Sequence, residues 1–112
     1  MRVDTTSCGT VAMIIPHGAL VADDVPDFQQ AVHAAARERG GRVVIDLSDV
    51  PYFDSAGIQS LLTLYREPSE PSAQPKLSNL TETCRESLDL TNVLLRLHVF
   101  DTVENAVRSY NP

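Results

Sequence analysis

Val43, Val44 and Ile45 are three consecutive β-branched residues, preceded by Gly40-Gly41 and followed by the breakers Ser48-Asp49 and Pro51. A strand with one wet face alternates apolar and polar side chains. One that is apolar at every position has to be covered on both sides. Residues 42–47, RVVIDL, therefore form the expected central strand of a layered fold, and the rest of the chain must supply its cover.

The flanking pattern shows what that cover is. Residues 23–39 predict a helix, because Phe28, Ala31, Val32 and Ala35 recur at i, i+3, i+4 and i+7. Asp23 or Asp24 can cap its free amides, and Pro26 falls in the first turn, where a missing N–H costs little. After the central strand, a second helix takes Ile58, Leu61, Leu62 and Tyr65 as its apolar stripe, with Pro68 as its stop. EPSEPSAQP, residues 67–75, reads as a solvated surface connection. KLSNL at 76–80 reads as a short strand. Residues 81–91 read as a third helix, with Cys84 and Leu88 inward and Asn92 at a left-handed cap. LHVF, 97–100, is a last extended segment. The closing helix begins at Asp101, with Glu104 at capping-box spacing, and its stripe is Val103, Ala106, Val107 and Tyr110.

Ahead of the first helix, residues 3–8 and VAMII at 11–15 flank Gly9-Thr10, which predicts an antiparallel hairpin ended by Pro16. A hairpin followed by alternating helices and strands implies an α/β fold. Its sheet is mixed and mostly parallel, about four to five strands wide, with about four helices packed against it.

At 112 residues the chain fits one compact domain, 1–112, and 43% apolar residues suffice for a core. The net charge of −6 argues against a nucleic-acid or anionic-membrane binder, either of which needs a basic footprint. No CxxC pair or histidine cluster suggests a metal. Cys8 and Cys84 are expected to be small buried thiols rather than a disulfide. The opening MRVDTTSCGTVAMII lacks a signal peptide's apolar region, and no run could span a bilayer, so the expected location is the cytoplasm.

The functional question concerns PYFDSAGIQSLLTLY, residues 51–65, where Ser55 stands at the passage from an extended run into the second helix. Its position admits three readings. A serine ahead of an apolar stripe is a preferred N-cap, with Asp54 adding charge at the positive end of the helix. Ser55-Ala56-Gly57 also matches half of a G-x-S-x-G nucleophile elbow. Phe53 stands where the first glycine belongs, and His98 is the only histidine placed to complete a triad. Finally, the free amides at a helix start tolerate a phosphate, and Ala56-Gly57 would let a second protein come close.

The string VVIDLSDVPYFDSAGIQSLLTLY resembles the core motif of the STAS domain, in the form found in bacterial anti-sigma factor antagonists. Val44-Ile45-Asp46-Leu47 matches the family's strand, and Asp54-Ser55-Ala56-Gly57-Ile58 its D-S-[SAT]-G-[LI] loop. Gly18-Ala19-Leu20, Leu88-Asp89-Leu90-Thr91-Asn92-Val93 and Phe100-Asp101-Thr102-Val103-Glu104-Asn105-Ala106 match further family segments. Asn92 replaces the usual glycine, and the 67–75 connection is unlike the family's basic turn.

The resemblance implies a STAS-like fold with the helices mainly on one face of the sheet. It implies that Ser55 is the phosphoacceptor and that Asp54, Ser55, Ala56, Gly57 and Ile58 form the partner-binding surface. The implied partners are an anti-sigma factor with a histidine-kinase-like ATPase fold and a serine phosphatase. The antagonist itself would be a monomer when free, with no cofactor, metal or catalytic residue. A STAS scaffold of a stress-signalling complex, a transport-system subunit and, more remotely, a serine hydrolase are the competing roles.

Overall fold

The computed structural model describes residues 1–67 and 74–110. The expectations for Pro68, and for most of the 67–75 connection, fall outside the described residues. The chain opens with β1 (Arg2–Cys8) and β2 (Val11–His17). They pair antiparallel, from Arg2 opposite His17 to Cys8 opposite Val11. Gly9 at the tip has φ 64°, a left-handed conformation that glycine adopts without steric cost.

Helices and strands then alternate: α1 (Val25–Glu38), β3 (Val43–Asp46), α2 (Ser55–Arg66), β4 (Lys76–Ser78), α3 (Glu82–Leu90), β5 (Val99–Phe100) and α4 (Val103–Arg108). The sheet order is β1-β2-β3-β4-β5, with every pair from β2 onward parallel. This is the mixed, mostly parallel α/β sheet expected.

The topology also dictates where the helices lie. Right-handed crossovers that step the same way across a sheet leave their helices on one face. Ala12 and Ile14 are in register with Val43 and Ile45, and all four point into the main core with Phe28, Val32, Leu61, Leu64, Leu77 and Leu88. Residues one place along face the other way. Val11 and Val44 meet Ala106 of α4, with Met13 and Phe100 beside them. α4 lies on the other face, folded back beneath the sheet. Val44 is thereby sealed although its neighbours point to the opposite core.

Several local expectations change in three dimensions. β2 runs to His17, because β3 pairs with it just over Ala12–Ile14 and makes no demand on the absent amide of Pro16. Asp23 and Asp24 lie in a short 3-10 turn and give α1 no side-chain cap. Asp24 faces the Met1 ammonium at 3.5 Å instead. The buried set of α2 is Gly57, Ser60, Leu61, Leu64 and Tyr65, while Ile58 and Leu62 are only partly covered. The helix packs on both the sheet and α1, so its inward face is broader than one stripe. Thr102, not Asp101, caps α4, its hydroxyl accepting from the Asn105 amide at 3.1 Å. Asn92 takes the expected left-handed conformation at φ 59°.

The two cysteines part company. Cys84 is buried as expected, its thiol donating to the Val50 carbonyl. Cys8 is exposed, because it sits at the hairpin end of an edge strand with no layer outside it. Among the described residues, no helix is long and apolar enough to cross a membrane.

Candidate functional site

The connection from β3 to α2 is built by alternating anchorage. Asp46 ends the strand by accepting from the Ser48 amide at 3.0 Å and from Asn79 Nδ2 at 3.3 Å. Leu47 and Val50 are fully buried, and the Val50 amide closes a turn on the Leu47 carbonyl. Pro51 and Tyr52 turn out to solvent, Phe53 turns in, and Ser55 turns out again. The bulky Phe53 is therefore a peg that holds the segment down, the opposite of what a strained nucleophile elbow requires.

A second segment clamps this one. The amides of Gly18 and Leu20 donate to the carbonyls of Asp49 and Tyr52, at 3.0 and 3.1 Å, and the Asp54 amide donates back to Leu20 at 3.3 Å. Leu20 and Phe53 form an isolated parallel bridge. The G-x-L run that follows β2 is thus the seat of the Asp54–Ile58 segment.

Asp54, and not Ser55, is the N-cap of α2. One carboxylate oxygen accepts from the Gly57 amide at 2.8 Å and the other from the Ala22 amide at 2.9 Å. These two N–H groups, Gly57 first, hold its carboxyl below the usual carboxylate range against some desolvation. Relieved of capping, Ser55 opens the helix as its first residue, exposed to solvent.

Gly57 is buried. A Cβ there would stand 2.2 Å from the Leu20 carbonyl oxygen, so the glycine lets α2 sit directly on the clamping segment. Ala56 and Ile58 are half-buried beside Ser55. Of the five motif residues, the outward surface is formed by Asp54, Ser55, Ala56 and Ile58, while Gly57 sets their height. Tyr52, half exposed in the same connection, was not singled out in the sequence, nor was the seat at Leu20 and Ala22. The G-x-L motif was the only trace of that seat.

His98 does not approach Ser55. Its ring stacks on Tyr65 with centroids 5.6 Å apart. Tyr65 lies ten residues along α2 from Ser55, roughly 15 Å at the helical rise. The triad reading thus lacks its base. Among the described residues, no group of three or more histidine, cysteine and acidic side chains could hold a metal.

Replacing Asp54 tests the cap. Asp54→Ala should lower the thermal midpoint by about 5 °C near neutral pH. Because the folded carboxyl titrates low, its contribution is present above the ordinary carboxylate range and fades as pH falls through the depressed folded value. Melts of both proteins from neutral to strongly acid pH should therefore converge. A constant gap would mean that the carboxylate charge does not matter.

The architecture has close counterparts among solved structures. An anti-sigma factor antagonist from Mycobacterium paratuberculosis superposes with a TM-score of 0.86 at 19% identity, covering 99% of this chain and 94% of that one. An anti-sigma-factor antagonist (STAS) domain protein from Planctomyces limnophilus gives 0.80 at 20% identity, covering 98% of each. The Bacillus cell fate determinant SpoIIAA, in its phosphorylated form, gives 0.65 at 17% identity, with 96% and 98% covered. At such identities the likeness is one of fold. The family itself is established by sequence: residues 2–106 match the model of the STAS domain, and by that near-complete match the chain belongs to the STAS domain family.

Proposed function

We propose that this protein is an anti-sigma factor antagonist working in the cytoplasm by partner switching. Its unphosphorylated form binds an anti-sigma factor that is also a serine kinase of histidine-kinase-like ATPase fold, and so frees the sigma factor. Phosphorylation of Ser55 ends that binding, and a serine phosphatase restores it. The protein acts as a switch with no catalytic residue or cofactor of its own, and as a monomer when free.

The observation that carries this reading is the exposure of Ser55 on a fixed mount. Asp54 takes over the cap, Gly57 seats the helix on Leu20, and Phe53 pegs the approach. The Ser55 hydroxyl is then free to be esterified without loss of the contacts that hold the turn. Tyr52, three residues earlier in the same connection, is half exposed, and tyrosine is among the residues that most often anchor interfaces. A STAS relative solved in a phosphorylated form supports this class of switch.

The direct test is to incubate the protein with its anti-sigma factor and ATP and map the modification by mass spectrometry. A single phosphate is expected on Ser55, with Ser55→Ala still binding the kinase but accepting none. Phosphate on another residue, with Ser55 untouched, would contradict the proposal.

A further inference from the structure

His17 closes β2 with its ring between two carboxylates from different parts of the chain. Nδ1 lies 2.5 Å from Asp49 Oδ2, in the β3–α2 connection, and Nε2 lies 2.8 Å from Asp4 Oδ2, in β1. The side chain is 26% exposed. A neutral imidazole carries one N–H, so it can donate to one carboxylate and must turn a lone pair on the other. Only the imidazolium donates at both nitrogens. The charged groups facing the ring are Asp4 and Arg2 from β1 and Asp49 from the connection. Arg2 Nη2 shares Asp4 Oδ2 at 3.0 Å, so two anions outweigh one cation.

We propose that His17 is a proton-operated staple. As imidazolium it ties both β1 and the connection leading to Ser55 to the end of β2. On releasing its proton to water it keeps one of these ties and drops the other. The device needs no phosphate and no partner, and it stands or falls independently of the partner-switching reading.

The electrostatics agree with the geometry. The hydrogen bond to Asp49, and then that to Asp4, raise the His17 pKa above the ordinary imidazole range, against partial desolvation and the Arg2 charge. Arg2 and His17 together hold the Asp4 carboxyl low, so the anion is available throughout the window. The sign follows. A raised folded value means the stabilisation is fully present below the free-histidine range and is lost as pH rises through the folded value. The connection is also held through the Asp49 carbonyl, which accepts from the Gly18 amide at 3.0 Å. Exchange of that amide therefore reports how firmly the staple holds.

The experiment is an NMR titration of the three histidines in the full chain, with hydrogen exchange at Gly18. His17 should titrate above free histidine. His98, pushed down by partial desolvation and by the Lys76 ammonium, should titrate below it and serves as the internal reference. Asp49→Asn, an exposed change that leaves the Asp49 carbonyl in place, should lower the His17 midpoint. Protection of the Gly18 amide, corrected for intrinsic rate, should fall roughly two- to fivefold across the His17 transition, the size expected of a partly exposed ion pair. A His17 midpoint at or below free histidine overturns the proposal. So does a midpoint unmoved by Asp49→Asn, or Gly18 protection that stays flat.

Discussion

Gly57→Ala should melt roughly 12–20 °C below the wild-type protein, reflecting a loss of about 3 kcal/mol. The two relevant effects oppose each other. Alanine in a helix is favoured over glycine by up to about 1 kcal/mol, and less in a first turn. Against this, the added methyl would meet the Leu20 carbonyl oxygen at 2.2 Å. That oxygen belongs to backbone and cannot rotate away. It also accepts the Asp54 amide, and its residue bridges Phe53. Relieving the clash means lifting α2 off its seat or parting the clamp, and either loses several of these contacts together. Urea or thermal unfolding measures the outcome. A midpoint within a few degrees of wild type would show that the seat yields easily, and that glycine here has another purpose.

Ser55→Asp should separate stability from binding. Within the domain, a negative charge at the first residue of α2 gains about 0.3–1 kcal/mol from the helix dipole, and the neighbouring Asp54 carboxylate offsets part of that. The melting temperature should therefore stay within about 3 °C of wild type. At the proposed interface with an anti-sigma factor the same charge would be buried without a partner, which costs on the order of several kcal/mol. Affinity should fall about 100-fold for aspartate, equivalent to about 2.8 kcal/mol. It should fall further for phosphoserine, which carries about −1.5 to −2 charges. Complete reversal of a bound-to-free ratio takes about 5.5 kcal/mol, within reach of one phosphate. Calorimetric titration and thermal melts on the same samples decide the matter. Unchanged affinity with Ser55→Asp would place the interface elsewhere, and a large drop in melting temperature would reveal a structural role for the hydroxyl.

Much of this arrangement was legible in the chain itself. The run Val43-Val44-Ile45 announced a strand covered on both faces, and Val44 does turn to α4 while its neighbours turn to the main core. The hairpin at Gly9, the alternation that follows it and the left-handed Asn92 were equally readable, because each depends on residues within a few positions of one another. The DSAG segment was visible as a motif at the start of a helix.

Other features depended on contacts between distant residues, to which local spacing is blind. The cap of α2 passed from Ser55 to Asp54 because the carboxylate reaches the Ala22 amide, 32 positions away, as well as Gly57. The need for glycine at 57 comes from a carbonyl at 20, and the exposure of Cys8 from its place at an uncovered edge. The pairing of His17 with Asp4 and Asp49 joins three segments that no periodicity links. Hydrophobic period and turn chemistry are properties of neighbours along the chain, so the sequence alone determined the elements, their order and the sheet they imply. Close approach and shared hydrogen bonds are properties of neighbours in space. Tertiary packing therefore decided which side chain holds the loop, which glycine cannot change, and which hydroxyl is left facing out.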